Sequence, residues 1–319
     1  MPLLRRLSTI MFGTVIIAGL STATGSATQY EEREVFSPDG TISRVVAPVQ
    51  DQTPAPRSAV QADVVPIQQT GPSSQRFDLV FVGDGYTSAE LDKYKQQATS
   101  RWNELTQVEP FKSYKNSFNV WAVNVVSQQS GVDNDPRGTY RNTALDMTFW
   151  CGGTERLLCV NENKALQFAR LAPEVDQVVA LANTTKYGGA GGRVATSSGG
   201  NTAAGQIVLH ELGHTIGGLA DEYDYPDDRY TGGEPREVNA SIYTSAQMQQ
   251  KRTKWYQYLG KPSPDGGVVG TYEGAVYHKR GVYRPTENSL MRALGREFNL
   301  IGLDAMKAAI ERKAPPNKP

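Results

Sequence analysis

The alternation of strand-like and helix-like segments predicts an α/β (α+β) fold, with a mixed or parallel sheet packed on helices. Three observations carry that expectation. "RFDLVFVGDGYT" opens with a β-branched and aromatic run, Phe77 to Val82, and breaks at Gly83-Asp84-Gly85. A helical pattern follows it at once. Further on, "FNVWAVNVV" (118–126) and "VDQVVALAN" (175–183) read as buried strands, with the helical "NENKALQFARLA" between them.

Each element has a local reason. Thr87 and Glu90 have the spacing of a capping box, which satisfies backbone N–H groups at a helix start. Leu91, Tyr94, Ala98, Trp102 and Leu105 then recur at intervals of three and four, which is one helical face. Pro110 stops that helix, and Pro173 ends the next. Gly83-Asp84-Gly85 lacks a third glycine for a nucleotide loop, so Asp84 reads as the tie of a strand-to-helix turn.

The 319 residues divide into three expected regions. Residues 1–27 carry Arg5 and Arg6, an apolar stretch from Leu7 to Leu20, and small residues before Ala27. That is the pattern of a cleavable signal peptide, so the chain is expected to be secreted or periplasmic, with no membrane association in the mature form. Residues 28–75 read as a short hairpin around Pro38-Asp39-Gly40, followed by a Pro- and Gln-rich arm or linker. Residues 76–319 form the compact domain. Net charge is zero with 33 basic and 33 acidic residues, and there is no basic run, which argues against a nucleic-acid partner. The two cysteines, Cys151 and Cys159, fit a disulfide in an oxidising compartment.

"QIVLHELGHTIGGLADEYDYPDD" (206–228) holds two of the chain's three histidines. His210 and His214 stand one turn apart on the same face of a predicted helix, where two imidazoles can bind one zinc ion. Glu211 is rotated away from that face and reaches a metal-activated water as general base. Gly217-Gly218 end the helix and allow the chain to reverse. Spacing leaves the third ligand open among Asp221, Glu222 and Asp224; His278, alone in "AVYHKRGVY", reads as a packing or surface residue. The acidic group 221–228 lacks the spacing of a calcium loop. The glycine-dense 184–201 is either a flexible loop or a sheet edge open to an extended peptide.

These residues resemble a known family. "HELGHTIGGLADEY" is similar to the signature of metallopeptidase family sixty-four, the zincins typified by a clostridial immunoglobulin-A-cleaving enzyme. "FDLVFVGDGYT", "SGVDNDPRGTYRNTAL", "VDQVVALANTTKYGGAGG" and "YEGAVYHKRGVYRPTENSLMRALGREFN" extend the resemblance over roughly 76–312. It implies a zincin-like domain with one catalytic zinc ion. His210, His214 and Asp221 would be the ligands, with Glu222 as the fallback, and Glu211 the base. "ENSLMR" resembles a methionine turn that places Met291 beneath the metal. Tyr223 and Tyr283 are candidate oxyanion donors. The implied partner is a protein or peptide bound in extended form. The competing expectation is an exported, non-catalytic zinc-binding envelope or adhesion protein of the same fold. The sequence departs from larger family members in its short N-terminal region.

Overall fold

The computed structural model describes residues 29–315 apart from 51, 55–60, 137–139 and 226–227. The segment 1–27, expected to be a signal peptide, lies outside the described residues. Near the N-terminus, β1 (Tyr30–Phe36) and β2 (Ile42–Pro48) pair antiparallel as a separate two-stranded sheet. Then come β3 (Ala62–Gln68), β4 (Phe77–Asp84), α1 (Leu91–Leu105), β5 (Phe118–Val125), α2 (Glu162–Ala169) and β6 (Gln177–Ala182). The remainder is β7 (Gly189–Ala190), β8 (Ala195–Ser198), α3 (Gly205–Gly217), α4 (Ser245–Lys251), β9 (Tyr272–Ala275), β10 (His278–Arg284) and α5 (Leu300–Lys313). Among the described residues no helix is long and apolar enough to cross a membrane.

Six strands form one mixed sheet in the order β3-β5-β4-β6-β8-β7. β5, β4, β6 and β8 run parallel, and the outer strands β3 and β7 run antiparallel to their neighbours. The central strands are buried on both faces, which is why they read as continuous apolar runs. Side chains alternate between the two faces. Leu79 and Phe81 of β4 face α1, α3 and α5, through Trp102, Ile207 and Met306. Val80 and Val82 face α2 and a long loop, through Phe168, Leu145 and Met147.

Asp84 organises that loop. Its buried carboxylate accepts hydrogen bonds from the Ser127 and Thr143 hydroxyls and from the backbone N–H of Leu145 and Met147. Burial nonetheless pushes its pKa up to about 6. Gly85, at φ +74°, is required here, since a Cβ would stand 2.3 Å from the Gly131 carbonyl oxygen. The reach of Asp84 is therefore longer than one strand-to-helix turn.

One boundary moves. The expected arm within 28–75 includes β3, an edge strand of the main sheet, so the sheet begins at Ala62 rather than at Arg76. β3 is only partly buried, its apolar Val64, Val65 and Ile67 are interrupted by Asp63 and Pro66, and the proline obscures it. Proline is tolerated there because an edge strand has one side without ladder bonds. Cys151 and Cys159 form a disulfide, with Cα atoms 6.1 Å apart, in a small cluster with Val35 and Ala47 of the hairpin.

Candidate metal centre

The local sequence explains how α3 aims its histidines. Asn201 caps the preceding turn by accepting the Ala203 N–H. The helix is buried along most of its length, and it packs on α5 where Gly217 leaves room for Met306. The two glycines at its end have different duties. A Cβ on Gly217 would come 2.8 Å from Met306, whereas Gly218 supplies the left-handed φ of +60°. The chain then turns back, and Asp221 arrives beside the two histidines.

Each of the three side chains is held from behind. His210 Nδ1 is 3.1 Å from the Leu290 carbonyl and His214 Nδ1 is 2.7 Å from the Leu219 carbonyl. In the neutral form these nitrogens donate, which leaves both Nε2 atoms as acceptors. Asp221 Oδ2 accepts the Tyr277 hydroxyl at 2.6 Å, leaving Oδ1 toward the histidines. The two Nε2 atoms are 3.1 Å apart, and each is 3.2 Å from Asp221 Oδ1.

Three acceptor lone pairs thus converge with no donor hydrogen among them. Such a group repels itself unless a cation or protons sit between its members. Ligands about 2.0–2.1 Å from a tetrahedral ion stand about 3.3 Å apart. The observed separations fit that edge length. Asp221 Oδ1 and Glu211 Oε1 are also buried with no hydrogen-bond partner among the described residues. The donor set and geometry therefore fit a small divalent metal.

A fourth residue joins the group. Glu34 of β1 places Oε2 3.7 Å from His210 Nε2, and the ligand atoms of Glu34, His210, His214 and Asp221 all lie within 4.8 Å of one another. The other oxygen of Glu34 accepts the Tyr223 hydroxyl.

Charge follows from this crowding. Burial raises Asp221's pKa, but the two histidines outweigh it and hold the carboxyl far below the usual range. Burial opposes the charged form of His214, yet Asp221 pushes its pKa up to about 9. His210 is likewise overcome by Asp221 and Glu34 and is raised well above its ordinary value. Glu211 is pushed up to about 8, first by burial and then by the charge of Glu34. Burial keeps the Tyr277 hydroxyl neutral, reinforced by the Asp221 charge, so it remains a donor.

Glu211 does not join the ligand atoms. Its carboxyl abuts the backbone just after β7, where a Cβ on Gly191 would stand 2.2 Å from Oε2. The glycine-dense segment therefore includes the outer strand of the sheet, and one of its glycines borders Glu211. Met291 is buried beneath α3; a Cβ on Gly213, between the histidines, would meet its sulfur at 2.6 Å.

Other expected candidates lie elsewhere. Glu222 turns into the core, where Oε1 accepts Asn239 at 2.8 Å and Asn299 at 2.7 Å, and Oε2 accepts the Ser289 hydroxyl at 2.7 Å. Burial pushes its pKa up to about 7. It serves as a strut between the segment after α3 and the cap of α5. Asp224 pairs with Arg292 at 2.6 Å. His278 sits 3.0 Å from Asp228 and edge-on to Tyr230. Tyr283 lies in β10, where its backbone pairs with Ser241. Tyr223 does reach the site, bonded to Glu34.

Sequence reasoning missed Glu34 and Tyr277. The first sits in the acidic run "EEREVF", which offers no signal beyond charge. The second occupies a two-residue turn between β9 and β10. Val276 and Tyr277 both have positive φ, +50° and +70°. Asparagine and glycine are the usual residues in such a turn, and a β-branched residue there is strained. The turn is pinned by Val276 N–H to the Asp221 carbonyl at 2.9 Å and Tyr277 N–H to the Tyr223 carbonyl at 3.2 Å. The strained turn aims the hydroxyl that orients Asp221.

A fold with an HExxH sequence on a buried helix, a convergent His-His-Asp group and an adjacent glutamate defines the class of a metal-binding hydrolytic site. The family model of IgA peptidase M64 matches residues 65–265 and 261–310. The chain belongs to that family and is, in general terms, a metallopeptidase with a peptide or protein substrate. No curated protein matches it.

Proposed function

We propose that the chain is an exported zinc metalloendopeptidase with a zincin-like catalytic unit. The convergence of His210, His214 and Asp221 beside an unpartnered Glu211 carboxyl carries this reading. Two imidazoles and a carboxylate suit zinc, and the signal-peptide pattern of residues 1–27 supports export. When bound, zinc polarises the scissile carbonyl and lowers the pKa of water to about 7.

The protein's own groups do the rest. Glu211 takes the proton lost by the attacking water and passes it to the leaving amine nitrogen. Gly191, having no side chain, lets that carboxyl sit against the wall of the cleft. Tyr277 fixes the orientation of Asp221, and the Leu290 and Leu219 carbonyls fix the imidazoles. Tyr223 offers a hydroxyl on the side of the site now taken by Glu34, where a substrate oxygen would gather charge.

The test is Glu211→Gln. The variant should bind one zinc ion per chain and lose casein cleavage by at least about a thousandfold. Cleavage at the wild-type rate would reject the mechanism. Zinc binding with no cleavage, both in the wild type and in a variant whose Glu34 carboxylate is removed, would favour the non-catalytic binding protein.

A further inference from the structure

We propose that the β1–β2 hairpin is an inhibitory latch, with Glu34 as a removable fourth metal ligand. This inference rests on the reading of His210, His214 and Asp221 as a metal site. Those three leave one position of a tetrahedron for a water or a substrate oxygen, and Glu34 Oε2 approaches from that side. Its carboxylate imitates a reacting carbonyl group. One oxygen points at the ligand cluster, and the other accepts the Tyr223 hydroxyl.

The remainder of the hairpin covers the cleft. Phe36 lies edge-on to the His210 ring at 5.5 Å. Arg33 donates to the Gly191 carbonyl at 2.7 Å, next to Glu211. A peptide extending along the β7 edge would compete for that carbonyl. At the turn, Arg156 donates to the Phe36 carbonyl at 3.1 Å, and Leu294 N–H to the Gly40 carbonyl at 2.9 Å. On the far strand, Tyr225 donates to the Ile42 carbonyl at 2.5 Å, and Arg44 lies 3.6 Å over the Tyr277 ring.

The hairpin is also separable in its construction. Among the described residues its two strands pair only with each other and add no strand to the six-stranded sheet. Its contact with β7 is through side chains such as Arg33 rather than through a backbone ladder. An element built this way can leave without breaking a strand of the main sheet.

The experiment uses the full exported chain with zinc or cobalt bound, comparing wild type, Glu34→Gln and Arg33→Ala. Glutamine keeps the volume of Glu34 but is a poor metal ligand. Arg33→Ala leaves the ligand in place and loosens the strand, so it serves if Glu34→Gln folds badly. In wild type, zinc loading should slow amide exchange across residues 30–48 by at least about tenfold, and Glu34→Gln should abolish that effect. Acetohydroxamate, followed by the visible spectrum of the cobalt protein, should bind both variants at least about tenfold more tightly than wild type. Casein cleavage should rise in parallel.

Exchange that ignores zinc in wild type, or equal hydroxamate affinity in all three proteins, would overturn the latch. If exchange and hydroxamate behave as expected while no protein cleaves casein, the latch stands and the peptidase reading falls.

Discussion

Gly191→Ala isolates the placement of the Glu211 carboxyl, the proposed catalytic base, from everything else. The added Cβ would stand 2.2 Å from Glu211 Oε2 and 2.6 Å from both Cδ and Oε1. Ordinary contact begins near 3.4 Å, so the carboxyl must retreat by about 1 Å. Gly191 is not among the positive-φ glycines, so alanine adds no backbone strain there. The clash is with the end of a side chain whose Oε1 has no hydrogen-bond partner. The fold should therefore yield at the carboxyl and nowhere else. A displacement of this size costs about a hundredfold in rate, or about 2.7 kcal/mol of barrier. The assay is kcat on a quenched peptide, with zinc content and thermal melting measured on the same preparation. We expect kcat down about a hundredfold, zinc at one per chain and little change in melting. A variant within threefold of wild-type kcat would refute the placement of Glu211. Loss of zinc would show instead that Gly191 supports the ligands. Gly189→Ala is a contrasting control, because its Cβ would meet the Thr196 carbonyl oxygen at 2.5 Å, and backbone cannot retreat as a side chain can.

Three other outcomes follow from named contacts. Tyr277→Phe removes the hydroxyl that orients Asp221, and should weaken zinc binding about ten- to a hundredfold with the fold intact, as measured by chelator competition. Unchanged affinity would remove Tyr277 from the site's support. Zinc must displace the proton that Asp221 helps His214 hold up to about pH 9, so its apparent affinity should climb with pH from 7 toward 9 by at least about tenfold per unit, then flatten. The stability of the metal-free fold runs the opposite way. The protonated His214–Asp221 pair stabilises the metal-free fold below the unfolded histidine value, and this contribution is lost as pH rises through about 9. Calorimetry in buffers of different ionisation enthalpy measures the protons released, and release of none at pH 7 would contradict the protonated histidines. Glu222→Ala leaves the Asn299, Ser289 and Asn239 donors facing a void. It should cost at least about 3 kcal/mol in urea unfolding, while folded molecules still bind zinc one to one. Zinc loss from a stable variant would restore Glu222 as a ligand.

The parts legible in the sequence are those fixed by neighbours along the chain. The capping box at Thr87 and Glu90, the apolar face of α1 and the i, i+4 spacing of His210 and His214 each depend on residues within a turn or two. The glycine reversal after α3 put Asp221, Glu222 and Asp224 within reach, and the family resemblance, not spacing, pointed to Asp221. Burial on both faces made β4, β5 and β6 readable as apolar runs. β3 failed that test, being a half-exposed edge with a proline. Tyr277 meets Asp221 across 56 residues, and Tyr223 meets Glu34 across 189. Contacts of that length carry no periodicity. The only local trace of Tyr277 is a turn whose residues are wrong for its φ values, and that becomes visible only with the backbone.

The way each proposed ligand is anchored separates the three that would be permanent from the fourth. His210 is braced by the Leu290 carbonyl, His214 by Leu219, and Asp221 by Tyr277. The brace for His210 is itself tied down: Glu222 N–H bonds the Met291 carbonyl at 2.8 Å, and its carboxylate bonds Ser289 and Asn299. These partners lie on the loops before α5 and between α3 and β10, so the three ligands cannot shift without repacking the core. Glu34 is held by Tyr223, a residue of the cleft wall, and by the docking of a two-stranded sheet with its own short ladder. Releasing it exposes Val35, Phe36 and Ile42, which are buried against the body. Burying such side chains is worth about 1.5–3 kcal/mol each. The latch is therefore stable at rest, and its removal leaves the braces of the other three ligands untouched. A metal site built to act only after an event of release requires that asymmetry, and the division between braced and docked ligands supplies it.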